Sequence, residues 1–204
     1  MSRRHAWLAF TASGPLLPRR GVSDATAWQE GFRSLQERWY AVDAPHVAAA
    51  MVLQWILQVP AHTAAHAASA GPHRADLGGL TYSLGPSLVP DLVRLTTLVP
   101  DAGDLTHRMA RAHADYREVA EPIAAAYPAI VRLGPHTRSG MVADMWGAAE
   151  REALGAAGLI QPGALARESC CLIYALPGCV ECAGCPRLRT APDASSALPP
   201  PRAP

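Results

Sequence analysis

The chain has 204 residues, half of them apolar and 17% charged, with a formal net charge of +1. A chain of that length can bury a proper core in one domain, and the composition is that of an ordinary soluble globular protein. A charge so near balance gives no general argument for nucleic acid or an anionic membrane as partner.

The first residues, M-S-R-R-H-A-W-L-A-F-T-A-S-G, faintly imitate a signal peptide. The apolar stretch is short, broken by Thr11 and Ser13 and followed by Arg19 and Arg20, so it reads as part of the domain. Ser23 or Asp24 is placed to cap a helix in which Trp28, Phe32, Leu35 and Trp39 form one apolar stripe. Pro45 suits the first turn of a second helix, apolar nearly all round from Ala48 to Leu57 and therefore expected at the centre of the fold. Its most apolar run, Val47 to Val59, is interrupted by Gln54 and Gln58. It falls short of the roughly 20 apolar residues a bilayer span needs, so no integral membrane segment is expected. Pro60 is expected to kink or end this helix, with the Ala-rich stretch continuing towards Gly71 and Pro72.

Leu80 to Leu84 alternates, and Gly85-Pro86-Ser87 is turn chemistry, which suggests a short strand or hairpin between Gly78 and Pro90. Asp101 or Asp104 then caps a third helix with Leu105, Met109, Ala112, Tyr116, Val119 and Ile123 on its apolar stripe. Arg108, Arg111, Asp115 and Arg117 form its solvated face, and Pro122 or Pro128 ends it. A fourth helix is expected over Thr137 to Ala156 and a short one over Pro162 to Arg167. Thr190 onward is rich in proline and alanine and cannot build a core. The expected architecture is mainly α: a single helical-bundle domain over 1–189 with a C-terminal cysteine-rich metal-binding loop at 167–187, and a disordered tail at 190–204.

All five cysteines lie between Cys170 and Cys185. A disulfide-stapled secreted protein spreads its cysteines through the fold, so the clustering and the odd count point to metal chemistry in a reducing compartment, the cytoplasm. Cys170, Cys171, Cys182 and Cys185 read C-C-x10-C-x2-C. Four thiolates brought to one point hold zinc or an iron–sulfur cluster. Adjacent cysteines diverge from neighbouring backbone positions, which suits two irons better than one tetrahedral ion. Cys179 lies inside the spacer and, with Cys182 and Cys185, makes part of a ferredoxin-like run that lacks its fourth cysteine. We read Cys179 as a spare thiol.

Other candidate groups are weaker. His62 and His66 are four apart and could share a metal, but no H-E-x-x-H carboxylate accompanies them, so they read as an exposed pair. Asp144 and Glu150 read as acids that keep a helix soluble. Trp28, Trp39, Trp55 and Trp146 read as core.

The C-C-x10-C-x2-C motif resembles that of the siderophore-iron reductases typified by FhuF, as do Arg167-x-Ser169 before it and Tyr174 after it. The resemblance implies a [2Fe–2S] cluster on Cys170, Cys171, Cys182 and Cys185. It implies one-electron reduction of a ferric siderophore, which releases Fe(II) in the cytoplasm. No flavin or NAD(P)H motif is visible, so a separate electron donor is expected, a ferredoxin or a flavoprotein reductase. Two other functions share these residues. One is a non-catalytic iron–sulfur protein for electron transfer or redox sensing; the other is a helical binding module stabilised by zinc.

Overall fold

The computed structural model describes residues 8–12, 24–159, 165–182 and 184–190. Of the helix expected over Pro162 to Arg167, residues 162–164 lie outside the described residues and 165–167 are not helical; the proline-rich tail beyond Thr190 also lies outside the described residues. The protein is mainly α-helical, with four long helices: α1 (Ala25–Tyr40), α2 (Pro45–Ala70), α3 (Leu105–Ala126) and α4 (Pro135–Ala156). A short α5 (Pro186–Thr190) follows the cysteines.

α2 is the axis, packing against α1, α3 and α4. It is apolar on every side, so no face of it can be left to water. Ala48, Ala49, Ala50, Ala61, Ala64, Ala65, Ala67 and Ala68 are all buried, and such small residues let neighbouring helices approach closely. α2 is long and apolar enough by composition to cross a membrane, but 83% of its most apolar window is buried inside the fold, as in the core helix of a bundle. It runs unbroken through Pro60, and α3 runs unbroken through Pro122. Each proline removes one ladder hydrogen bond, a local loss that packing on all sides of α2 outweighs.

Cross-helix contacts fix the directions. Arg108 of α3 donates to the Ala68 carbonyl near the end of α2, while Tyr127, just past α3, donates to Ala49 near its start (2.9 Å), so α2 and α3 are antiparallel. His113 and Trp146 stack at 4.6 Å, and Arg138 donates to Ala124, so α3 and α4 are antiparallel as well. α2 and α4 therefore run in the same direction. Arg138 also caps the last carbonyls of α3, groups that would otherwise lack an intrahelical partner.

The strands form two small sheets. β3 (Thr81–Leu84) and β4 (Pro90–Arg94) make the antiparallel hairpin expected from the turn chemistry, and β1 (Ala9–Thr11) joins β4 in parallel. β2 (His73–Ala75) pairs with β5 (Leu98–Pro100). The hairpin is tied to α1 through Trp28, whose indole N–H donates to the Leu88 carbonyl (2.9 Å) and whose ring stacks on Trp55. Trp28, Trp55 and Trp146 are core residues, as the apolar stripes imply. Trp39 is not: it lies in the last turn of α1 and is 54% exposed.

Tyr127 is 2% exposed, and its hydroxyl satisfies a second lone pair on a helix carbonyl. Tyr127→Phe should lower the unfolding free energy by about 1 kcal/mol with an unchanged m-value, measured by urea denaturation.

Candidate metal centre

The cysteine loop is built on an acid buried in α4. Asp144 is 4% exposed and sits among Met141, Val142, Met145 and Trp146. Its carboxylate accepts the Glu168 amide (2.7 Å), the Ser169 amide (2.9 Å) and the Ser169 hydroxyl. Arg167, also buried, approaches the same carboxylate at 3.4 Å and donates to Gln54 Oε1 on α2 at 3.1 Å. An ion pair taken out of water needs such additional hydrogen bonds to offset desolvation. Asp144 is thus not there to solubilise a helix: it clasps the chain at the residues immediately before the double cysteine. Arg167 meets both expectations for a buried arginine, a carboxylate partner and further acceptors.

From that anchor the chain turns sharply. Leu172 adopts a left-handed conformation (φ 61°), rare for a residue with a side chain. The turn points its amide at the Cys170 sulfur, to which it donates at 3.4 Å. A 3-10 turn over Ile173–Ala175 follows, and Leu176 packs against Ala44 and Val47 at the start of α2. The chain then returns across its own beginning. The Arg167 amide donates to the Gly184 carbonyl at 3.0 Å. Gly184 has φ 78°, and a Cβ there would lie 1.8 Å from the Leu165 carbonyl oxygen. Only glycine supplies both the backbone conformation and the close approach.

This crossing brings four of the five sulfurs together. Cys170 and Cys185 lie 3.9 Å apart, and Cys171 is near enough to Cys182 to push its thiol pKa up. Cys171 and Cys185 are buried, whereas Cys170 and Cys182 are part-exposed. Cys179 is directed elsewhere: its sulfur meets the Tyr40 hydroxyl at the end of α1, 4.0 Å away. Burial pushes the Cys170 and Cys182 thiols above their ordinary range, with Cys185 adding to the rise at Cys170 and Cys171 adding to it at Cys182. Burial pulls the Arg167 pKa down, but Cys171, Asp144 and Cys182 together outweigh it and hold the guanidinium more firmly charged. The guanidinium lies 3.7 Å from the Cys182 sulfur.

The donor set fits a thiolate-bound iron cluster. Tetrahedral metal–thiolate bonds of about 2.3 Å place two sulfurs about 3.8 Å apart, close to the Cys170–Cys185 separation of 3.9 Å. The Cys170 and Cys182 thiols, which resist ionising, need a cationic centre to hold them as thiolates. N–H groups directed at sulfur, such as Leu172, tune such centres.

The cysteine spacing and Gly184 could be read from the sequence. Asp144 and Gln54 could not be assigned, although both are polar residues within apolar helices, which is the signal that marks them. His62 and His66 also differ from the sequence reading: they are 2% and 0% exposed, and Glu152 of α4 faces both.

Residues 167–187 match the family model of the FhuF 2Fe-2S C-terminal domain. The match spans the segment from the Arg167 anchor to α5, and the cofactor it indicates is a [2Fe–2S] cluster. No curated protein and no solved structure matches the chain.

Two substitutions test the crossing and the clasp. Gly184→Ala should cut cluster iron per chain to a small fraction of wild type while leaving helical circular dichroism unchanged. Asp144→Asn leaves one acceptor where four donors converge, and should cost about 3 kcal/mol of stability, read by denaturant unfolding, with loss of visible absorbance.

Proposed function

From a C-terminal segment of the FhuF 2Fe-2S type, we propose that this protein is a cytoplasmic ferric-siderophore reductase whose cluster is held by Cys170, Cys171, Cys182 and Cys185. The observation that carries the reading is the convergence of these four sulfurs at the surface of the bundle, with Cys179 apart. The Cys170–Cys185 contact and the coupling of Cys171 to Cys182 support a crossed arrangement in which Cys170 and Cys185 would hold one iron and Cys171 and Cys182 the other. Adjacent cysteines then serve different irons, as their divergence requires.

When bound, the cluster would supply a single electron, drawn from a ferredoxin or flavoprotein donor, for the chelated Fe(III). Oxygen donors that bind Fe(III) tightly bind Fe(II) far less well, so one electron releases the metal. The protein's own groups set the conditions. Arg167 places a fixed positive charge beside the Cys182 sulfur and so favours the state with the extra electron. Cys170 and Cys182, part-exposed, leave that edge open to a bulky chelate.

A cleft of about 410 Å³ adjoins the loop, lined in part by Pro45, His46, Leu172 and Tyr174. Arg187 lies 4.0 Å over the Tyr174 ring and donates to its hydroxyl (3.0 Å), a cation beside the cleft suited to an anionic chelate. A larger cavity of about 860 Å³ between α3 and α4 has three arginines in its wall, but no residue of the cysteine loop lines it. Proximity to the electron source favours the smaller cleft.

Anaerobically purified protein should be red-brown, with two iron and two labile sulfide per chain. Serine at any of the four proposed ligands should bleach it, whereas Cys179→Ser should leave the spectrum intact. Bleaching in Cys179→Ser would overturn the ligand assignment. The chemically reduced protein should be reoxidised by a ferric hydroxamate as Fe(II) reaches a chelating dye. A cluster that stays reduced would instead mark a non-catalytic electron carrier.

A further inference from the structure

Away from the cysteines, the interface of α2 and α4 holds a second set of metal-ligating groups. His62 and His66 lie one turn apart on α2, on the same face, with rings stacked at 6.1 Å. Glu152 of α4 reaches both, with His62 Nδ1 3.6 Å from one carboxylate oxygen and His66 Nε2 3.5 Å from the other. One donor atom from each residue lies within 4.8 Å of the other two. Both histidines are buried, while Glu152 is about one-third exposed and opens the group to solvent on one side. We propose that His62, His66 and Glu152 form a binding site for a divalent first-row transition ion, separate from the cysteine centre.

Three physical points carry this. The first is spacing. Bonds of about 2.1 Å in a tetrahedral site set neighbouring donors about 3.4 Å apart; each histidine lies 3.5–3.6 Å from one of the two Glu152 oxygens, and one donor atom from each residue lies within 4.8 Å of the others. The second is ligand chemistry. Two neutral imidazoles and one carboxylate are the ligand set of His2Glu zinc sites and of the facial triad that holds Fe(II), with coordination positions left over for water or another ligand. The third is rigidity. Both histidines sit in the C-terminal part of the most buried helix, where packing fixes their rotamers, so little ordering entropy is spent on binding.

The location adds a relationship between the two centres. Arg167 bridges Gln54 of α2 and Asp144 of α4 beneath the cysteine loop. His62 and Glu152 lie eight residues further along the same two helices. At 1.5 Å of rise per residue, that is about 12 Å along the bundle axis. Because α2 and α4 are parallel, both centres use one interface at two levels. The ligand set suits ferrous iron as well as zinc, and ferrous iron is the product of the reaction proposed above. The site itself rests only on the three side chains and stands whether or not that reaction occurs.

The test is titration of the protein, its cysteine centre filled, with Zn(II) by calorimetry and with Fe(II) under anaerobic conditions. One further equivalent of metal should bind in each case. The zinc X-ray absorption spectrum should show a shell of nitrogen and oxygen without sulfur. Glu152→Gln, conservative in shape at a part-exposed position, should weaken Zn(II) binding by about a hundredfold or more, with the cysteine-centre spectrum unchanged. The proposal is overturned if no metal binds beyond the cysteine centre, if sulfur appears in the zinc shell, or if Glu152→Gln binds as wild type does. These readouts do not involve siderophore reduction, so failure of one reading leaves the other standing.

Discussion

The carboxylate of Asp144 is the constraint on which the rest of the metal centre depends. One buried acid gathers two amides, a hydroxyl and a guanidinium, all from three consecutive residues. A buried carboxylate this heavily hydrogen-bonded is stable only while its donors stay put, so it holds the loop as firmly as the loop satisfies it. Arg167 extends the same network to α2 through Gln54 and to the sulfurs through Cys182. The position of the double cysteine is therefore set by two helices of the core. A loop with few regular hydrogen bonds of its own thus gains the rigidity of the bundle beneath it.

The parallel run of α2 and α4 gives the molecule its functional layout. α3 returns the chain antiparallel to both, and this up-down-up order brings two distant stretches of sequence into one interface. Polar groups in such an interface must be paired, because they lie between faces that are otherwise apolar. Gln54 with Arg167 forms one pairing; His62 and His66 with Glu152 form another. Between these levels the interface is closed by small residues such as Ala61 and Ala149, both fully buried.

Local patterns in the sequence account for the helices well. Pro45 at the first turn of α2, Asp104 capping α3 through the His107 amide and the β3–β4 hairpin all follow from residues near one another in the chain. The cysteine spacing and Gly184 are local signals in the same sense. What escapes is set by partners far away in sequence. Asp144 resembles a solvated acid until the 168–169 amides, more than twenty residues on, are brought to it. His62 and His66 look exposed because the carboxylate they face comes from another helix, not from the intervening residues as in H-E-x-x-H. Trp39 errs in the opposite direction: its helical spacing continues the stripe, but its side chain is 54% exposed in the last turn of α1.

The Gly184–Leu165 crossing and the Asp144 clasp also bear on the order of biosynthesis. The contacts that anchor the loop to the bundle come from α1, α2 and α4, all of which precede it in the chain. A ribosome therefore finishes the scaffold before the last cysteine emerges. Unlike a small zinc finger, whose folding waits for its ion, this bundle has its own apolar core and can fold as an apo-protein that offers a shaped seat to an iron–sulfur donor. Maturation then becomes a late, separate step, and the cell could hold this protein in reserve until iron and sulfide are supplied.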